Sequence, residues 1–228
     1  STPIKSSAAS DVYKRQVERC CIMAICKYED LGENQMDVFR EIGSIGNGNA
    51  ITALSGLLSE KISMDMPEVD ILGFNQAQEK MGEAEEVVGA VLAEMSGELS
   101  GIMMLILKEK FIKQIVSKVL SQEMEDILEM GEMDQSLLRE IGNIMISSYV
   151  NALSSLTGLQ ISLSVPQIAV NMLGGVLSLP MALLGIESDK LMMITGEFYL
   201  GGEGMDSNIL LLPDISSLNV LMKKLGVE

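Results

Sequence analysis

The feature that most constrains this sequence is an internal repeat with an offset of 99 residues. Residues 37–44, Asp-Val-Phe-Arg-Glu-Ile-Gly-Ser, resemble residues 136–143, Ser-Leu-Leu-Arg-Glu-Ile-Gly-Asn. Aligned without a gap, residues 40–67 and 139–166 are identical at 12 of 28 positions. A period this long exceeds the roughly 20–50 residues of solenoid repeats. The chain is therefore predicted to fold as two related halves of one pseudo-symmetric domain.

We expect this single domain to span residues 23–228, with halves at 34–131 and 132–228. Residues 6–16, Ser-Ser-Ala-Ala-Ser-Asp-Val-Tyr-Lys-Arg-Gln, resemble the in-frame translation of a sequencing adapter. Fusion scars of this kind do not belong to a fold, so residues 1–22 are excluded from the prediction.

The charge and the reactive residues exclude several classes of function. The chain has 228 residues, with 16 Lys and Arg against 32 Asp and Glu, so its net charge is −16. Such a chain repels nucleic acid and anionic lipid. It contains no His, and its three cysteines, Cys20, Cys21 and Cys26, are close to the N-terminus. We therefore expect no metal site, no disulfide scaffold and no cofactor of its own, and free thiols in the cytoplasm.

One segment has the length of a membrane span. Residues 165–186 form a run of 22 residues without a charge, and about 20 apolar residues cross a bilayer. Two prolines, two adjacent glycines, Gln167 and Asn171 interrupt the run. The interruptions favour a buried, partly amphipathic helix, and no membrane insertion is expected.

Each half is predicted to contain a long helix, a strand, a hairpin and a closing helix. The expected helices are residues 35–59, 111–120, 134–157, 167–179 and 215–225, and the expected strands are 61–66, 87–95, 98–107, 160–165, 190–200 and 208–212. Residues 69–73 extend a strand or begin a loop, residues 77–86 form a polar surface connection, residues 121–131 form an acidic linker, and residues 201–207 form a glycine-rich one. This order predicts an α+β fold in which long helices pack on an antiparallel or mixed sheet.

Four polar or small residues share one face of the second long helix. Ser136, Glu140, Asn143 and Ser147 lie within about 60° of one another on a helical wheel. A carboxylate and an amide at this spacing are about 5–6 Å apart at Cβ. Neither is a strong nucleophile, but the carboxylate can hold a cation and the amide can orient a water molecule. This suits phosphoryl transfer, which depends mostly on positioning, if a partner brings the phosphate. An ordinary solvated helix face explains the same pattern.

The motif Glu-Ile-Gly-Asn-Ile at residues 140–144, with Ser136 before it and Pro166 after it, resembles the CheC/CheX/FliY family of chemotaxis phosphatases. The family pattern is Asp or Ser, three residues, Glu, two residues, Asn and a downstream Pro. The resemblance runs from about residue 28 to residue 228. The length and the duplication are similar to those of the CheC type.

The resemblance implies a duplicated CheC-like fold and a cytoplasmic enzyme that hydrolyses the aspartyl phosphate of a CheY-type response regulator. Glu140 would pair with the active-site lysine of the receiver, and Asn143 would hold the attacking water in line with phosphorus. The Mg²⁺ ion would be supplied by the phosphorylated receiver.

The first copy of the motif departs from the family pattern. Asp37 and Glu41 are present, but Ser44 stands where the family has Asn. A serine side chain is shorter and lacks the paired donor and acceptor of an amide. Asn47 is about 60° from the direction of Ser44 and does not replace it. We therefore predict one working site, with a degenerate first site where docking survives without chemistry.

A second surface is predicted after Pro166. Gln167, Asn171 and Ser178 form a narrow polar stripe on an apolar segment, which is also what the wet side of a core helix would show. In CheC proteins the corresponding helix binds the deamidase CheD. Some members carry an acidic residue at the position of Asn171, which weakens this prediction.

Two alternatives to the enzyme stay open at this point. One is a non-catalytic module of the same fold that binds CheD or a receiver. The other is a structural component of the flagellar switch.

Overall fold

The computed structural model describes Ile25, residues 27–184 and residues 190–227. The N-terminal segment 1–22 and the three cysteines lie outside the described residues. The α-helices of the described part are Glu33–Leu58 (α1), Phe74–Met81 (α2), Glu109–Leu120 (α3), Glu132–Thr157 (α4), Leu173–Leu184 (α5) and Ile215–Leu225 (α6). The strands are Ile62–Met64 (β1), Glu68–Gly73 (β2), Val87–Gly97 (β3), Gly101–Lys108 (β4), Ile161–Leu163 (β5), Gln167–Met172 (β6), Lys190–Leu200 (β7) and Glu203–Pro213 (β8).

The two halves repeat the same order of elements, and even the ends of the long helices correspond. The backbone N–H before each helix, at Gly32 and Gly131, donates to a side chain three residues later, Gln35 and Asp134 respectively, at 2.9 Å in both cases. These bonds satisfy a donor that helix geometry leaves without a partner. Both helices end in a left-handed residue, as helices commonly do.

The eight strands form one antiparallel sheet in the order β1-β7-β8-β4-β3-β5, and β2 and β6 extend its two ends by pairing with β7 and β3. Strands β4 and β8, which are equivalent in the repeat, pair at the centre of the sheet. Strands β1 and β2 of the first half thus join the hairpin of the second half, and β5 and β6 join the hairpin of the first. The α+β prediction with an antiparallel sheet is confirmed.

Helices cover both faces of the sheet. The larger apolar cluster lies between one face and α1, α3, α4 and α6, and includes Val91, Leu105 and Ile209 from alternate strand positions. The smaller cluster lies on the opposite face, where α2 and α5 pack on Leu92, Met104 and Leu210. Strands buried on both faces are expected to be apolar throughout, which is why the hairpins carry so many Leu, Ile, Val and Met residues.

Several predicted boundaries are wrong because short segments carry tertiary contacts. Residues 77–86 are not simply a polar connection, since α2 buries Phe74, Ala77 and Met81 at helical spacing. Residues 69–73, for which the sequence allows either a strand or a loop, belong to β2, which pairs with β7. Strand β8 begins at Glu203, and Gly201 and Gly202, with φ of 63° and 87°, make the tight turn before it. This backbone favours glycine and matches the twist of a hairpin.

The prediction of one helix over residues 167–179 is also wrong. Residues Gln167–Met172 form strand β6, paired with β3, and the helix begins only at Leu173. The alternation of Gln167, Ala169 and Asn171 with Ile168 and Val170 is the period of a strand with two different faces. Among the described residues no helix is long and apolar enough to cross a membrane.

Candidate functional site

The candidate site lies on the exposed face of α4. The opposite face is buried through Leu138, Ile141, Met145 and the ring of Tyr149. Because side chains three and four residues apart share a face, this burial directs Ser136, Glu140, Asn143 and Ser147 to the other side of the helix. Ser136 and Glu140 are exposed there, and Asn143 and Ser147 are half-buried.

The side chains of Glu140 and Asn143 are available to a ligand. Within the described part of the chain, neither makes a hydrogen bond or an ion pair with another residue. The carboxylate and the amide are therefore presented together on a rigid helix without intramolecular partners. No cluster of acidic residues or cysteines within the described ranges could hold a metal ion.

Gly142, next to Asn143, places α4 directly on the sheet. A Cβ atom at this position would lie 2.5–2.6 Å from side-chain atoms of Val91 on β3. Real Cβ atoms do not approach other atoms so closely, so any larger residue would displace the helix. The glycine in Glu-Ile-Gly-Asn thus sets the height of Asn143 above the sheet.

The strand after Pro166 runs beside the part of β3 on which α4 rests. Val91, which contacts Gly142, pairs with Ile168, and Ile168 follows Pro166 by two residues on β6. In the first half, Pro67 is 3.3 Å from the Cβ position of Gly43 on α1. The repeat predicts the corresponding place for Pro166, next to the helix that carries the Glu and the Asn.

The first copy of the site is also exposed but is partly engaged within the chain. Asp37, Glu41 and Ser44 all lie on the exposed face of α1. Arg40 donates to Asp37 at 2.5 Å, and its guanidinium is 3.7 Å from Glu33.

Asn47 is not available to replace the missing amide of the first site. Its side chain is 3% exposed, and its oxygen accepts a hydrogen bond from the hydroxyl of Tyr149 on α4. Burial raises the pKa of Tyr149, so that it stays a neutral donor. Asn47 thus belongs to the contact between the two long helices.

The polar residues predicted as a second surface do meet, although not on one helix. Gln167 and Asn171 on β6 and Ser178 on α5 line one cavity of about 380 Å³ on the far face of the sheet. The rest of its lining is mainly apolar and was not predicted: Ala90, Leu92, Met104, Ile168, Ala169, Gly175, Val176, Leu179 and Ala182. The period-two alternation of residues 167–171 was the signal that could have indicated a strand with one side on a groove.

The arrangement on α4 can bind a cation and orient a polar ligand, but it has no nucleophile of its own. A carboxylate accepts hydrogen bonds, and a neighbouring amide both donates and accepts. Such a pair can complete the active site of a partner that brings the reactive group.

Comparison with known proteins identifies the family of the chain. The model of the CheC-like family matches residues 133–170, which contain Glu140, Asn143 and Pro166. CheY-P phosphatase CheC of Bacillus subtilis (strain 168) is 31% identical over 205 residues, covering 88% of this chain and 98% of that protein. Flagellar motor switch phosphatase FliY of the same strain is 26% identical over 145 residues, covering 63% of this chain and 38% of FliY.

Solved structures share the fold. Thermotoga maritima FliY superposes with a TM-score of 0.68 at 21% identity, covering 86% of this chain and 98% of that one. The FliM middle domain from H. pylori superposes with a TM-score of 0.62 at 13% identity, covering 85% and 99%. The chain therefore has the α+β fold of these two proteins. Given the identity to CheC over nearly its whole length, the chain belongs to the CheC-like family.

Proposed function

We propose that this protein is a chemotaxis phosphatase that hydrolyses the aspartyl phosphate of a CheY-type response regulator. The observation that carries the proposal is the Glu140–Asn143 pair on the solvent-facing side of α4, whose side chains bond to no other residue of the described part of the chain. The 31% identity to a CheY-P phosphatase supports the same activity. A cytoplasmic location follows from the proposal, because CheY-type receivers act there.

In the proposed mechanism, Glu140 accepts hydrogen bonds from the active-site lysine of the receiver and so orients α4 over the phosphoryl group. The amide of Asn143 holds a water molecule in line with phosphorus. The water oxygen forms a new bond to phosphorus, the bond between phosphorus and the aspartate oxygen breaks, and the aspartate leaves as a carboxylate. The proton of the water leaves with inorganic phosphate or the solvent. The receiver supplies the Mg²⁺ ion that balances the phosphoryl charge.

Only the second site is proposed to perform the chemistry. The side chain of Ser44 ends in a hydroxyl at the γ position, one bond short of the amide oxygen and nitrogen that Asn143 carries on α4. At the first site Asp37 is paired with Arg40, whereas Glu41 is exposed. Docking through Glu41 without hydrolysis is the expected behaviour there.

The decisive experiment measures phosphate release from a radiolabelled CheY-type receiver with the parent protein and with Asn143→Ala. The expected loss of rate is about a hundredfold, because the attacking water is then no longer held in line with phosphorus and the rate gain from positioning is lost. Asn151→Ala, an exposed asparagine two turns further along α4, is the matched control and should keep the parent rate. Unchanged hydrolysis by Asn143→Ala would refute the mechanism.

A second binding function is supported by the cavity between β6 and α5. Its polar wall of Gln167, Asn171 and Ser178 stands opposite apolar residues, which is the usual make-up of a binding pocket. We propose CheD as the partner at this surface, on the family resemblance. Titration calorimetry with CheD should show weaker binding after Ser178→Trp, which fills the cavity. Equal affinity for both proteins would exclude this surface.

A further inference from the structure

Two large apolar side chains near the candidate site are exposed to solvent and do not pack into the core. Met133 is 68% exposed and Val165 is 79% exposed. Single exposed apolar residues are common on protein surfaces. Their significance here depends on where they lie.

Met133 lies on the same face of α4 as the candidate site. It precedes Glu140 by seven residues, which places it within about 20° of Glu140 around the helix and about 10.5 Å along it. It is thus at the N-terminal end of the stripe that continues through Ser136 and Glu140 to Asn143.

Val165 immediately precedes Pro166 in the turn between β5 and β6. The strand after this turn pairs with Val91, which contacts Gly142 on α4. In the first half, Pro67 of the corresponding turn is 3.3 Å from the Cβ position of Gly43 on α1. The correspondence of the two halves therefore places Val165 beside the segment of α4 that carries Asn143.

The repeat provides an internal comparison for both positions. The residue equivalent to Met133 is Asn34, which is polar and exposed. The residue equivalent to Val165 is Met66, which is 85% exposed. The half with the complete Glu–Asn pair thus has an apolar side chain on both sides of the pair, and the half with Ser44 has one.

We infer that Met133 and Val165 are the apolar docking residues for the receiver, on either side of the Glu140–Asn143 pair. This inference rests on the proposed function, because it assigns the same receiver to the same face. Stable interfaces bury a few apolar side chains at well-packed points, with polar contacts around them. Here Ser136 and Ser147 are small enough for the receiver backbone to approach α4. Met133 and Val165 provide apolar surface for the receiver to bury on each side.

The test separates docking from chemistry. Receiver dephosphorylation is measured over a range of receiver concentrations for Met133→Ser, Val165→Ser and the double variant. Each single change should raise KM about tenfold, equivalent to about 1.4 kcal/mol, and leave kcat unchanged. The double variant should show about the product of the two effects. Met133→Leu and Val165→Ile keep the apolar area and should retain the parent KM.

Met66→Ser is the matched control, because Met66 is equivalent to Val165 but lies beside the site without the amide. Its KM should equal that of the parent. An unchanged KM in Met133→Ser and Val165→Ser, or an equal rise in Met66→Ser, would overturn the inference. Suppose that one of these outcomes is found. If Asn143→Ala loses hydrolysis in the same assay, the docking inference is wrong and the proposed function stands. If Asn143→Ala keeps hydrolysis, the proposed function is wrong as well.

Discussion

The hydroxyl of Tyr149 on α4 donates a hydrogen bond to the side-chain oxygen of Asn47 on α1, deep between the two long helices. The ring lies against Gly46, where a Cβ atom would be 2.7 Å from it. In the repeat, Tyr149 is equivalent to Ala50 and Asn47 to Ile146. The two long helices are therefore held together by a contact that does not follow the repeat. The pair Tyr149 and Asn47 is polar, whereas the equivalent pair Ala50 and Ile146 is apolar.

The first prediction tests this contact by urea unfolding. Tyr149→Phe leaves the buried amide of Asn47 without a partner, because its nitrogen has no hydrogen-bond partner among the described residues. The free energy of unfolding should fall by about 1–3 kcal/mol. Adding Asn47→Ile, the residue that the repeat has at this place, should recover most of the loss. A double variant as unstable as Tyr149→Phe would show that the unpaired amide of Asn47 is not the cause of the loss.

The second prediction concerns Gly142. Gly142→Ala forces a methyl group against Val91, and overpacking of this kind lowers stability by about 1–3 kcal/mol. The displaced helix should also lower the rate of receiver dephosphorylation. Gly56→Ala on α1 is the control, since nothing lies within 4 Å of its Cβ position. It should raise stability by about 0.5–1 kcal/mol through helix propensity. If thermal or urea unfolding shows that Gly142→Ala is more stable than Gly56→Ala, the packing argument is wrong.

The third prediction concerns the ion pair proposed for Glu140. Glu140→Gln should weaken binding of a receiver loaded with a phosphoryl mimic, measured by titration calorimetry. For the parent protein, affinity should fall between low and high salt, because the Debye length shortens from about 30 Å at 0.01 M to about 3 Å at 1 M. The glutamine variant should show a smaller dependence on salt. Parallel salt curves for the two proteins would remove Glu140 from this role.

The fourth prediction uses the difference between the halves. Ser44→Ala should leave hydrolysis unchanged, and Ser44→Asn should raise it at most about twofold if the two sites act independently. Ser44→Asn combined with Asn143→Ala should retain the activity of one site. A large loss in Ser44→Ala would show that the first site works as it stands. No activity in the combined variant would show that the first half lacks more than an asparagine.

The fifth prediction is a pH dependence at the start of α6. Burial raises the pKa of Asp214, but hydrogen bonds from Ser217 and Ser216 outweigh it and hold the pKa below its usual range. The carboxylate therefore adds stability above about pH 4 that is lost as the pH falls through the lowered pKa. In urea unfolding, the difference between the parent and Asp214→Asn should shrink on acidification. A difference that stays constant from neutral pH to pH 3 would contradict this.

Much of the fold could be predicted from the repeat and from residue periodicity. Both long helices, both hairpins and the α+β class follow from local patterns, because a long amphipathic helix and a run of apolar strand residues carry strong signals. The equivalence of Glu41 with Glu140 and of Ser44 with Asn143 needs only the alignment of the chain with itself. The helical spacing of Ser136, Glu140, Asn143 and Ser147 likewise needs no tertiary information.

The tertiary structure decided what depends on contacts between distant residues. The helix prediction for residues 167–179 is wrong over β6, where a period-two alternation is short and the pairing with β3 that stabilises the strand is non-local. The exchange of outer strands between the halves cannot be read from local patterns either.

The same holds for Gly142 and Asn47, whose roles depend on Val91 and Tyr149, dozens of residues away. By itself the sequence determined which side chains share a helix face, since helix geometry is local. Only the tertiary structure decided which of them are free and what lies beside them, because burial is a property of the whole chain.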